Sequence, residues 1–133
     1  MDRQSIGFQI LGSLVGIVAG VMTIGFVESI GHMLFPTATL EDISEFPQII
    51  SAMPMPAKLW VVMSWGLGVF LGGLVALFIA RGTRWPGLIV ALFLFSGAVW
   101  TMFQFPHPPW MIVGAVLMTL LGTFGAQKVM SGR

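Results

Sequence analysis

Glu28, His32 and His107 are the side chains of this 133-residue sequence whose types could do chemistry together. Glu28 and His32 stand four residues apart in the stretch V-E-S-I-G-H-M-L-F-P, residues 27–36. On a helix that spacing puts both on one face, one turn apart. His107 lies far along the chain, in the corner Pro106-His107-Pro108-Pro109-Trp110. Two imidazoles and a carboxylate suit zinc or another divalent ion and leave a coordination position for water. Helical di-metal proteins, however, use Glu-x-x-His at a spacing of three, and use it twice; here the spacing is four and the pair occurs once. Two further readings use the same residues. A carboxylate at a helix end can pair with a histidine one turn away and tie that end to a neighbouring corner, a purely structural role. Ionisable groups close to a membrane also serve as proton or ion relays. Spacing alone leaves all three open.

The elements that must position these residues are membrane spans. The chain is 56% hydrophobic and 8% charged, against roughly 25% charged in soluble domains, so lipid is its natural solvent. Residues 6–27 hold no charge, a run long enough to cross a hydrocarbon core that takes about 20 residues. It is too long for the apolar core of a secretory signal and is read as a retained first span. Spans are predicted over about 6–31, 59–80, 87–105 and 110–127, with an outer loop over about 36–57. The predicted fold class is therefore all-α, an integral membrane four-helix bundle forming one domain. Gly12, Gly16 and Gly20 in the first span, and Gly68, Gly72 and Ala76 in the second, recur every fourth residue. Such smooth stripes let helix backbones approach closely, either within the chain or against a second copy or another membrane protein.

Charge orients the bundle. Four spans put both termini on one side, with Arg3, Arg81, Arg84, Lys128 and Arg133 against Asp2 alone. The other side has Lys58 against Glu28, Glu41, Asp42 and Glu45. This bias predicts both termini in the cytoplasm, and places Glu28, His32 and His107 together at the outer boundary. The outer loop reads as one or two short amphipathic helices at the membrane surface. Thr39 with Asp42 fits a helix start, and Met53-Pro54-Met55-Pro56 is expected to be non-helical because each proline removes a donor.

Other chemistry finds less support. There is no cysteine, which removes disulfides and thiolate sites. Six Lys/Arg scattered over the chain make no basic stripe for nucleic acid. Met33, Met53, Met55, Met102 and Met111 fall near the outer boundary and with histidine would suit Cu(I), but methionine in such a chain is ordinarily apolar filler. His32 and His107 could in principle bracket a haem. Trp60, Trp85 and Trp110 read as an interfacial belt, while Trp65 and Trp100 lie deep enough to line a cavity. No nucleophile–base set, phosphate loop or dinucleotide fingerprint occurs, so no catalytic residue is assigned and an enzyme is disfavoured.

The segment Glu28-Ser29-Ile30-Gly31-His32-Met33-Leu34-Phe35-Pro36 follows a pattern E-x-x-G-H-x-x-[FY]-P. With the small-residue-rich 66–73 stretch and the Pro106–Trp110 corner, the chain resembles a group of small bacterial four-span proteins along most of its length. The resemblance implies a bacterial inner-membrane setting and no activity. Small multidrug transporters fit poorly, since their glutamate is mid-span and their Lys/Arg is balanced. Three function classes follow: a non-catalytic accessory or scaffold protein with a polar or metal-binding outer cluster, a small transporter or channel using Glu28 for coupling or gating, and a metal-dependent membrane enzyme.

Overall fold

The four apolar runs fold as four helices, α1 (Arg3–Leu34), α2 (Met55–Ala80), α3 (Trp85–Gln104) and α4 (Pro109–Ser131). The structure, a computed structural model, describes residues 3–35 and 53–132. Most of the expected outer loop, including Thr39, Glu41, Asp42, Glu45 and Pro47, lies outside the described residues. Among those described there is no strand, and each helix is long and apolar enough to cross a membrane. The protein is thus an all-α, multi-pass membrane bundle.

Proline starts three of the helices. Pro56, Pro86 and Pro109 each occupy the first turn of α2, α3 and α4, where the missing N–H would have had no helical acceptor anyway. This corrects the expectation for Met53–Pro56: Met55 and Pro56 are helical, and α2 begins before residue 59. The same first-turn tolerance that makes proline a helix starter overrides its role as a breaker. At the other end α4 runs on to Ser131, past the expected 127, because Gln127 and Lys128 end the apolar run without ending the backbone ladder. That ladder closes with Gly132 N–H on Lys128 O at 3.2 Å.

Small residues set the packing. A Cβ built on Gly12 would lie 2.6 Å from Ala76 O, one on Gly16 2.6 Å from Gly72 O, and one on Gly20 2.9 Å from Gly68 O. Each step of four down α1 is matched by a step of four back along α2, so the two helices are antiparallel and touch backbone to backbone. The two stripes face each other within one chain. On its other side α2 runs parallel to α4, with Gly66 against Met118 and Gly73 against Ala126. Helix α3 runs parallel to α1, Val90 meeting Gly16 and Leu94 meeting Gly20. Helices α2 and α3 each pack on all the others, while α1 and α4 sit at opposite corners.

The bundle's polar side chains mostly look after themselves. Ser13, Thr23, Ser29, Ser96, Thr101, Thr119 and Thr123 each donate to a carbonyl one turn earlier in their own helix. Such back-bonding satisfies a hydroxyl where lipid offers no partner. Among the described residues it also leaves no line of free hydroxyls that would mark a polar pathway.

Candidate ligand-binding site

The antiparallel register of α1 and α2 determines what meets what at their other end. Past Gly20 and Gly68 the next steps carry larger residues: Ile24 fills the space over Gly68, and then Glu28 faces Ser64. Ser64 is fully buried, and its Oγ lies 3.3 Å from Glu28 Oε1 and 2.6 Å from Val61 O. A hydroxyl has one proton to give, and the shorter contact to Val61 takes the larger share. The Glu28 carboxylate is therefore held loosely.

One turn on, Gly31 is buried against the Trp60 indole, where a Cβ would come within 2.5 Å of the ring. Trp60 Nε1–H donates to Val27 O at 2.6 Å. Its ring also meets Phe35 edge-on, with centroids 6.3 Å apart. Trp60 thus pins the end of α1 to the start of α2.

This geometry revises the Glu28/His32 pairing. A straight α-helix advances 400° over four residues and so drifts about 40° per step of four. By His32 the contact face has turned away: Gly31 is buried and His32 is exposed. The hydrogen bond that Glu28 makes is to Ser64, across the helix pair, and not to His32.

Beyond the contacts of Gly16 with Val90 and Gly20 with Leu94, α1 and α3 separate. The gap is a cavity of about 570 Å³ lined by α1, α2 and α3, with Phe105 and His107 of the α3–α4 corner in its wall. Glu28, His32 and His107 all line it, as do Trp60, Trp65, Phe35, Phe93 and Phe105. Most of the wall is apolar or aromatic, and the ionisable groups lie toward one end. Val21 on α1 and Phe93 on α3 are half-exposed at its rim, so the cavity opens sideways between α1 and α3, onto the face that lipid covers.

His107 is fixed in this wall. Its Nδ1 meets Phe105 O, and since a carbonyl only accepts, Nδ1 is the donor in that contact. The ring also lies against Trp65, with centroids 6.1 Å apart. Sequence position thus brings Glu28, His32 and His107 to one cavity. Among the described residues, however, no three His, Asp or Glu side chains come close enough to hold a metal ion.

Two residues the sequence reading did not assign to the site belong to it: Ser64, the partner of Glu28, and Trp60, the pin. Continuing the four-residue register of the glycine stripes past Gly20 and Gly68 leads to both. Trp65 lines the cavity, whereas Trp100 is exposed on the outside of α3. Comparison with known protein families, curated proteins and solved structures gives no match for this chain.

Proposed function

We propose that this protein is a non-catalytic membrane binding protein that takes an amphipathic, positively charged molecule from the bilayer. Its apolar body lies in the crevice between α1 and α3, and its cationic head is held at Glu28. The observation that carries the reading is a loosely bonded carboxylate in the wall of a laterally open, largely aromatic cavity. The volume falls in the range of about 300–1,000 Å³ usual for small-molecule sites. Aromatic faces favour cations as well, by about 2 kcal/mol where water is excluded, so Trp60, Trp65, Phe35 and Phe105 reinforce the choice of charge.

A binding role fits better than transport or catalysis. The inner half of α1, α2 and α3 is closed by backbone-close packing at Gly12, Gly16 and Gly20. The hydroxyls of Thr119 and Thr123 are turned back onto their own helix. The charge asymmetry supports both termini in the cytoplasm, with the crevice in the outer leaflet, and the E-x-x-G-H-x-x-[FY]-P resemblance supports a bacterial inner membrane.

The test uses two probes of nearly the same shape and opposite charge, tetraphenylphosphonium and tetraphenylborate. Binding to detergent-solubilised protein is followed by quenching of Trp60 and Trp65. The cation is expected to bind the tighter, and Glu28→Gln to weaken it by on the order of thirtyfold or more, as loss of one partner of a buried charge pair does. Equal binding of the two probes, or a cation affinity that Glu28→Gln leaves intact, rejects the reading.

A further inference from the structure

At the opposite end of the bundle a second cavity, about 950 Å³, lies between the α2–α3 turn and the last turns of α4. Arg81, Arg84 and Lys128 line it, with Phe78 and Phe124 beside them. We propose that this cleft binds the headgroup of an anionic phospholipid, with the phosphate among the three cations and the acyl chains along Phe78 and Phe124.

The argument begins with charge. Three cations from two separate elements line one space, and the one acid among the described residues, Glu28, lines the other cavity. Cations near helix C-termini have an ordinary explanation, because the exposed carbonyls there favour positive charge. That covers Arg81, the C-cap of α2, and Lys128, in the last turn of α4. It does not cover Arg84, which is the N-cap of α3. A helix N-terminus is already electropositive, so an arginine there gains nothing from the helix dipole.

The backbone adds a second, independent observation. Arg81 has φ +26°, in the region that residues with a Cβ rarely adopt, and Gly82 follows at φ +86°. Glycine at residue 81 would relieve the turn, yet the chain holds an arginine in the strained position. Strained backbone positions of this kind cluster at functional sites.

A lipid fits the rest of the cleft better than a free anion. Phe78 and Phe124 are 56% and 68% exposed, on the stretches of α2 and α4 that lead from the cations toward the bilayer interior. Trp85, next to Arg84, is 61% exposed, as an indole at headgroup depth is. Basic pockets between spans are a recurrent form of anionic headgroup site, and each Lys or Arg near an anionic membrane surface adds about a fivefold attraction to it.

The experiment counts bound lipid by native mass spectrometry, on protein in a neutral detergent titrated with dioleoyl-phosphatidylglycerol or dioleoyl-phosphatidylcholine. Retention of phosphatidylglycerol over phosphatidylcholine is expected. Arg84→Gln should cut that preference about fivefold, and Arg81→Gln/Arg84→Gln/Lys128→Gln together by on the order of a hundredfold. Lys58→Gln, at the other end of the bundle, should leave it unchanged. Circular dichroism checks that the triple variant keeps its helices; should it not, Arg84→Gln alone decides. Equal retention of the two lipids, or an undiminished preference in the variants, overturns the proposal. So does displacement of phosphatidylglycerol by an equal concentration of glycerol 3-phosphate, which would make this a site for a free phosphate.

Discussion

Gly16→Ala isolates what the α1–α2 seam contributes. The added methyl would stand 2.6 Å from Gly72 O, 2.7 Å from Ala76 Cβ and 2.8 Å from Val90 Cγ2, where ordinary contact begins at 3.4 Å. The shortfall of several tenths of an ångström falls on backbone and on a β-carbon, neither of which can swing aside, so α1 must move off α2 and α3 together. Overpacking of this sort costs about 1–3 kcal/mol. Alanine also gives back up to about 1 kcal/mol of helix propensity, which blurs a single measurement. Gly25→Ala removes the ambiguity, because a Cβ there meets nothing within 4 Å, and it gains propensity alone. The difference between the two variants is then the packing cost by itself. Unfolding in mixed micelles, followed by tryptophan fluorescence, should place Gly16→Ala below Gly25→Ala by about 1–3 kcal/mol. Equal stabilities, or Gly16→Ala the more stable, would refute the reading of the seam as a backbone-to-backbone contact.

Two further outcomes follow from the candidate site. Trp60→Phe keeps the ring against Gly31 but loses the indole donor to Val27 O, so it should destabilise by about 0.5–1.5 kcal/mol, measured in the same unfolding assay. Elemental analysis separates a metal site from the organic-cation reading. A zinc held by the cavity would be lost from both His32→Ala and His107→Ala, whereas the present reading expects background metal in wild type and in both variants.

The fold was legible because lipid imposes a coarse rule. A span must be apolar for about 20 residues, and four runs meet that length in a chain with few other options. The ends of the helices were harder to read. Pro56 looks the same in sequence whether it breaks a helix or starts one, and the difference lies in whether residues after it continue the ladder. The site was half legible. Residue type and span count brought Glu28, His32 and His107 to one end of the bundle, because topology alone decides that. Which side chain Glu28 would bond to depended on the drift of the helix face and on the register against α2, and neither is visible in α1 by itself. Ser64 is a lone hydroxyl in an apolar span, and only the glycine register puts it opposite Glu28. The second cavity was still less visible, since Arg81, Arg84 and Lys128 had served only to count charge, and their convergence needs α4 to pack directly against α2.

The sideways mouth between Val21 and Phe93 changes what affinity would mean for this protein. A ligand entering there is dissolved in the membrane first and reaches the site by diffusion in two dimensions. Its supply is set by mole fraction in one leaflet, not by concentration in water. Each methylene added to such a ligand deepens partitioning by about 0.8 kcal/mol, close to a fourfold rise in apparent potency, without touching a single residue of the cavity. Rankings of ligands made on aqueous concentration would therefore track oiliness, and only constants expressed per lipid would report the selection proposed for Glu28 and its aromatic neighbours.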